Sequence, residues 1–350
     1  MSRKWRVRCI VSMFLLFTVC MVCSVDSQAA KKKSKVTWKL KKGTLTVYGK
    51  GKMPKSLNAY AMKKKQRKKV KRVIIKKGVT SIADFAFRDM KNLKMAKIPS
   101  TVKKLGNESF AGTAIRSLKV PSSVRSIGSY TFSGTKLKKL TIPGNFKFIP
   151  EDADVIGLVA GNINIFNDDK LIVTFNTKLK LDNTSLFVAK GYVVSKKDPK
   201  YCSVDGCIYT KDRKSLVRVP MRKKKLKIID GCTEFCLQSV LHGITGDGDL
   251  ETSCTVSEIE IPASVKTIES KKFHQNTEQL GLIPNIKKLT IRTKQLDGKS
   301  LAALVFDLNI DEKELMRQLP GQVIYRDGKY YSKDGVWLRR DPYKNWNPTY

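Results

Sequence analysis

The sequence predicts a β-rich solenoid, on three observations. A unit of 22 or 23 residues recurs, with Ile82, Leu105, Ile127 and Ile149 in one slot and Phe87, Phe110 and Phe132 in another. Each unit holds a short alternation of apolar and polar residues that stops at a proline, as in Leu93–Pro99, Ile115–Pro121 and Leu137–Pro143. Alternation is the period of a strand, and proline, with no N–H to give, ends it. After residue 30, no apolar run is long enough to cross a bilayer. A fixed period of this length, rich in leucine and isoleucine, is the signature of a leucine-rich-repeat solenoid with one short strand per turn. In such an array each unit buries its apolar side against its neighbours.

Residues 1–29 read as an export signal. Arg3, Lys4, Arg6 and Arg8 precede an uncharged run, Cys9 to Val25, and Ser27-Gln28-Ala29 supplies the small residues a signal peptidase accepts. The protein is therefore expected to be secreted, with loose attachment to a cell wall as an option. Its 69 basic and 30 acidic residues give a net charge of +39. Removing the signal leaves 65 and 29. So large an excess attracts polyanions: teichoic acids, acidic glycans, nucleic acid or anionic surfaces. Three cysteines, Cys9, Cys20 and Cys23, leave with the signal, and the other five lie between Cys202 and Cys254. An odd number leaves at least one outside any intrachain pair, so no dense disulfide framework is expected.

Residues 30–69 form the expected N-terminal cap. Apolar and polar residues alternate on both sides of Lys41-Lys42-Gly43, which is a hairpin pattern. Gly49-Lys50-Gly51 lacks the third glycine and the following helix of a phosphate loop, and reads as a turn. Lys63 to Arg72 holds eight basic residues among ten. That run is either a solvated face or a second polyanion patch.

In the repeats of residues 70–150, the first, fourth and sixth positions of each alternation (Leu93, Ala96, Ile98; Ile115, Leu118, Val120; Leu137, Leu140, Ile142) point into the core. The intervening positions face solvent and stack from turn to turn. They are Lys71, Arg72, Ile74; Lys94, Met95, Lys97; Arg116, Ser117, Lys119; and Lys138, Lys139, Thr141, of which eight in twelve are basic. Like charges on neighbouring strands repel, so this ladder is expected to attract counter-anions.

The unit Leu-x-x-Ile-x-Ile-Pro-x-x-Val-x-x-Ile-Gly-x-x-x-Phe resembles the BspA-like leucine-rich repeat of bacterial and protozoan surface proteins. The third copy carries it nearly throughout, in Ile115, Leu118, Val120, Pro121, Ser123, Val124, Ile127, Gly128 and Phe132. Gly43 to Pro54 is similar to the lead-in segment that often precedes such arrays. The resemblance implies a curved, exported solenoid that acts by binding, often in adhesion, and it brings no catalytic residues.

Beyond Pro150 the period breaks. Residues 151–200 keep short apolar strands, Asn162 to Phe166 and Leu171 to Phe175, and read as degenerate repeats. Residues 201–292 open on a segment similar to a hairpin found between such repeats, in which Cys207 takes a usually aliphatic slot and is read as core filler. Repeat-like turns follow at Leu226 to Phe235, Val256 to Phe273 and Ile286 to Ile291, the first imperfect between Ile229 and Phe235. Glu258 and Glu260 interrupt the basic face there. Residues 293–350 are expected to form a small α+β cap: helix from Leu296, a capped helix from Asp311 to Gln318, then a hairpin. Asp327-Gly328, Tyr331, Lys333-Asp334 and Leu338 repeat the spacing of Asp205-Gly206, Tyr209, Lys211-Asp212 and Leu216, which marks a second copy of the same hairpin.

No nucleophile elbow, metalloprotease motif or P-loop occurs, and no enzyme is expected. Cys232, Cys236, His242 and Cys254 give only a weak case for zinc, and a zinc-dependent enzyme is a remote alternative. Asp247-Gly248-Asp249-Leu250-Glu251 lacks the glycine of a calcium loop. Neither a metal nor a cofactor is predicted. The function expected is binding of polyanions, or of other proteins, through Lys71, Arg72, Lys94, Lys97, Arg116, Lys119, Lys138 and Lys139. The alternative is nucleic-acid binding through Lys63 to Arg72, a run without interleaved aromatics for base stacking.

Overall fold

The computed structural model describes residues 35–149, 170–181, 189–237, 255–269, 286–308 and 310–338. The chain enters through an antiparallel hairpin of β1 (Thr37–Lys41) and β2 (Thr44–Tyr48). Lys42 and Gly43 join them with φ of 46° and 74°. Two consecutive left-handed residues give the turn whose twist suits a hairpin, and glycine takes one of them without steric cost. Leu45 and Val47 are buried and begin the first core. β3 (Gly51–Lys52) follows, then a short helix α1 (Lys64–Lys69).

Each turn then contributes two strands, which corrects the expected one. The pairs are β4 (Arg72–Ile75) with β5 (Val79–Ile82), β6 (Met95–Lys97) with β7 (Lys104–Leu105), β8 (Ser117–Lys119) with β9 (Ser126–Gly128), and β10 (Lys139–Ile142) with β11 (Lys147–Ile149). The first strands form one parallel wall. β2, β4 and β6 make one ladder; β8 and β10 make the next, extended by β12 (Ile172–Phe175) and β13 (Gly191–Val194). β3, β5, β7, β9 and β11 form the second wall. Between the walls, the carbonyls of Pro99 and Pro121 accept from the amides of Val102 and Val124, each at 3.1 Å, and close the turn that carries the chain across.

The third side of each coil is a stack of turns held by main-chain bonds between neighbours. Phe85, Phe87 and Asp89 donate to Asn107, Ser109 and Ala111 at 2.8–2.9 Å, and Glu108, Phe110 and Gly112 donate to Ser129, Thr131 and Ser133 at 2.7–3.0 Å. Left-handed residues recur at matching places, Phe85, Glu108 and Tyr130 in one slot and Asp89, Gly112 and Gly134 in another. They turn the amides along the coil axis, where the next turn offers the acceptors. Inside, Phe87, Phe110 and Phe132 are fully buried, with successive ring centroids 5.2 and 6.3 Å apart. Burying each such ring contributes on the order of 2 kcal/mol.

A second stack explains the Ile-Gly of the repeat. Asp84 Oδ1 accepts from the Asn107 amide at 2.9 Å, and Asn107 Oδ1 accepts from the Ser129 amide at 3.0 Å. A Cβ at Gly106 would lie 2.5 Å from the Asp84 nitrogen, and one at Gly128 would collide with Asn107 Oδ1. Only glycine leaves room for the side chain of the preceding turn.

The segment after β13 is a three-stranded antiparallel hairpin, β14 (Tyr201–Val204), β15 (Cys207–Thr210) and β16 (Ser215–Arg218). Its two faces bury into different cores: Ile208 belongs to the first, while Cys207, Tyr209 and Leu216 belong to the second. Further turns follow as β17 (Lys225–Lys227), β18 (Glu234–Cys236), β19 (Glu258–Ile261), β20 (Thr267–Glu269) and β21 (Lys288–Ile291). β17, β19 and β21 pair in one sheet, and β16, β18 and β20 in the other. The turn at Ile229 to Phe235 is regular after all. Phe235 lies opposite Ile268, in the second-strand slot, and Cys232, whose amide donates to Ile229, fills the slot that valine takes elsewhere.

Two helices close the array, α2 (Gly298–Leu308) and α3 (Glu312–Gln318). Asp311 caps α3 by accepting from the amides of Lys313 and Glu314. Leu301, Leu304, Val305 and Leu315 complete the second core. The edge of β21 is sealed by one side chain. Gln318 Nε2 donates to the Leu289 carbonyl at 2.7 Å, and its Oε1 accepts from the Ile291 amide at 2.8 Å, as another strand would. The Arg317 and Gln318 hydrogen bonds hold the Glu314 carboxyl down at about 2. Last come β22 (Val323–Arg326), β23 (Lys329–Ser332) and β24 (Trp337–Leu338), a second hairpin with the turn of the first. Asp205 and Gly206 have φ of 47° and 77°, and Asp327 and Gly328 have 50° and 74°.

Two substitutions test this account. Gly128→Ala should lower the unfolding free energy by about 2 kcal/mol, from the Cβ overlap, in denaturant titration. Gln318→Ala should cost about 1–3 kcal/mol by leaving two backbone groups of β21 without their partner, and should raise aggregation in light scattering because the sheet edge opens.

Candidate binding face

All eight basic residues singled out from the sequence are exposed on the first wall. Behind them Val73, Ile75, Leu93, Ile98, Ile115, Leu118, Val120, Leu137, Leu140 and Ile142 are buried, as the alternation requires. Ala96 is half-buried and packs against the same core.

The register between turns corrects one expectation. Along the paired strands, cations do not simply stack on cations. Arg72 lies opposite Met95, Lys97 opposite Ile74, Lys139 opposite Ser117, and Lys119 opposite Thr141. Each strand cation therefore has an uncharged neighbour in its ladder, which relieves much of the cross-strand repulsion. The unbroken column is the one at the strand entrances, Lys71, Lys94, Arg116 and Lys138. There the Lys94 amide donates to the Lys71 carbonyl at 2.9 Å and the Lys138 amide to the Arg116 carbonyl at 2.8 Å. Paired strands lie about 4.8 Å apart, so Lys71 with Lys94 and Arg116 with Lys138 are closely spaced positive charges.

The row has ends. Opposite the strand positions of β4, β2 presents Thr44 and Thr46, and opposite those of β10, β12 presents Ile172 and Thr174. Among the described residues, no carboxylate forms an ion pair with any of the eight. The later turns differ. Lys225 and Lys227 face Glu258 and Glu260 in register and pair with them at 3.0 and 3.7 Å, and Arg292 reaches Glu260 at 2.7 Å. These three cations are neutralised by their own sheet.

Sequence reasoning passed over a second basic row. On the second wall Lys52, Ser81, Lys104, Ser126 and Lys147 follow one another in register, lysine alternating with serine. The signal was present in the Val-x-x-Ile half of each unit, but too few residues per turn are extended there to show a period. The Lys63 to Arg72 run forms α1 and the start of β4; its lysines are exposed, and Arg67 is half-buried.

The metal candidates divide. Cys232 is fully buried, burial pushes its thiol up, and its Sγ–H donates to the Glu234 carbonyl at 3.3 Å. Cys232 sits in a slot of the second core, where packing accounts for it. Cys207 is also buried, as expected of core filler, and its thiol is pushed up to about 12 by burial. His242, Cys254, His274 and the Asp247 to Glu251 loop lie outside the described residues, as does Asn162 to Phe166. Among the described residues, no helix is long and apolar enough to cross a membrane.

With this geometry in hand, comparison gives one family. The BspA type leucine rich repeat region matches in six copies, over residues 55–153 and 249–310. No curated protein matches the chain. Among solved structures, a leucine-rich repeat protein from Eubacterium ventriosum is similar at 18% identity, covering 75% of this chain and 71% of that one, with a TM-score of 0.38. The pneumococcal vaccine antigen PcpA is similar at 14% identity over 76% and 70%, with a TM-score of 0.35. A leucine rich cell surface protein from Faecalibacterium prausnitzii is similar at 15% identity over 77% and 78%, with a TM-score of 0.29.

Burial sets an expected labelling pattern for the thiols. In native protein at pH 8, an alkylating reagent should modify the half-buried Cys202 and Cys236 well before Cys207 and Cys232, and unfolding should bring all four to similar rates, followed by mass spectrometry.

Proposed function

We propose that this chain, which belongs to the BspA-type leucine-rich repeat family, is an exported, non-enzymatic binding protein that holds acidic macromolecules against its first wall. The observation that carries this reading is the contrast between the two halves of the array. The turns of β4 to β10 show eight exposed cations with no ion-pairing carboxylate among the described residues, while in the turns of β17 to β21 Lys225, Lys227 and Arg292 are paired with Glu258 and Glu260 of the same sheet. A wall that leaves its charge uncompensated stores unfavourable self-energy, and an incoming polyanion releases it together with condensed counterions. Teichoic acids and acidic glycans are the ligand classes that suit an exported chain. Adhesion by contact with another protein is the coarser form of the same reading.

The test is a salt titration with matched variants. Binding to teichoic acid or to an acidic glycan should fall steeply with ionic strength. Reversing Lys94, Lys97, Arg116 and Lys119 to glutamate should weaken it on the order of a hundredfold or more, at about 1 kcal/mol per charge near a charged surface. Reversing Lys225, Lys227 and Arg292 should change it far less. Salt-independent binding, or equal losses from the two sets, would sink the reading.

A further inference from the structure

The basic run before the repeats does have an aromatic partner, supplied from outside the run. Tyr60 sits in a short 3₁₀ turn, Ala59–Ala61, fixed by Asn58, whose Oδ1 accepts from the Tyr60 and Ala61 amides at 2.9 and 3.0 Å. The Ala59 amide is tied to the Phe85 carbonyl at 3.0 Å. The ring is therefore held in place, yet it is 53% exposed. It belongs to a stack that runs through the first turn. The Arg67 guanidinium lies 5.7 Å from the Tyr60 centroid, Tyr60 is 6.3 Å from Phe85, and the Arg88 guanidinium is 5.6 Å from Phe85 and 2.7 Å from a Glu108 oxygen.

Tyr60 and Arg67 of this stack wall a cleft of about 610 Å³ that Lys64, Lys68 and Lys91 also line. Its floor is tied together by Asn92, whose Nδ2 donates to the Lys68 carbonyl at 2.7 Å. The remaining lining group is Asp89, a half-exposed carboxylate. The cleft opens where α1 and the Asp89–Asn92 loop lead into β4 and β6, so it adjoins the entrance column at Lys71 and Lys94.

We infer that this cleft is a subsite for one carboxylated sugar unit of an acidic polysaccharide whose chain continues along the basic row. Three features select that chemistry. An exposed tyrosine ring held rigid offers a flat apolar surface for a sugar ring at little entropic cost. A guanidinium pre-oriented on that ring presents a planar fork, and a carboxylate is its planar complement. Asp89, which lies 3.6 Å from the Arg88 guanidinium, supplies an acceptor that sugar hydroxyls use and a phosphodiester, which has no donor, cannot. The inference rests on the reading of the first wall as a polyanion surface, and adds which polyanion and where its recognised unit sits.

The experiment is calorimetric titration of the full chain with an unsulfated, uronate-containing hexasaccharide and with a single-stranded oligothymidylate of equal charge. Tyr60→Ala should weaken hexasaccharide binding about tenfold with little change in its salt dependence, since a stacking contact and not a charge is lost. Tyr60→Phe should bind as the original does, which separates loss of the ring from loss of the fold. Asp89→Asn should weaken the hexasaccharide and strengthen the oligothymidylate. The variant reversed at Lys94, Lys97, Arg116 and Lys119 should bind the hexasaccharide more weakly but lose a further tenfold when Tyr60→Ala is added, so a failure of the row and a failure of the cleft are told apart. No saturable hexasaccharide binding, no effect of Tyr60→Ala, or parallel effects of Asp89→Asn on both probes would overturn the subsite.

Discussion

Backbone amides that point along the coil axis have no acceptor within their own turn. They are satisfied only by the turn beside them, and leaving one buried and unpaired costs about as much as a lost hydrogen bond. That constraint fixes the fold. It sets the length of the unit, because equivalent residues must meet. It places left-handed residues at Phe85, Glu108 and Tyr130 and again at Asp89, Gly112 and Gly134. It also lines up Phe87, Phe110 and Phe132 in a buried file. Side chains fill the space that the main-chain register has already defined.

The same register governs the electrostatics. A solenoid repeats its surface as faithfully as its core, so one lysine per unit becomes a row of lysines. On the paired strands the units are offset in composition, and Met95, Ile74, Ser117 and Thr141 separate the cations. At the strand entrances they are not offset. Repulsion there is tolerated because exposed charges a few ångströms apart in water interact weakly, while the hydrogen bonds and buried rings beneath them are strong. In the later turns Glu258 and Glu260 stand on the strand itself, opposite Lys225 and Lys227, and pair with them.

Much of this was legible in the sequence. Strands of the first wall follow from alternation ended by proline, and the exposure of the eight cations follows from the same period. The hairpin at Lys42-Gly43, the capped helix after Asp311 and the duplicated Asp-Gly hairpin were equally plain, because turn and cap residues act locally. The second wall was hidden, since two or three extended residues carry no period. Phe235 looked like a member of the phenylalanine file because both slots accept large apolar groups; only its pairing with Ile268 decides. The pairing of Arg72 with Met95, and the meeting of Tyr60 with Arg67, depend on register and on a turn fixed by Phe85, which no local pattern encodes.

The hairpin of β14 to β16 has one more consequence. Cys207 and Ile208 are neighbours in the chain, yet they point into different cores. The two halves of the solenoid therefore share a sheet but no common interior. Strain introduced in one half is transmitted to the other through a single layer of strands. An array divided this way holds two cores, one on either side of a partition. The crowded cations of the first half lie over the packing of that half, and their repulsion reaches the second half only through the partition.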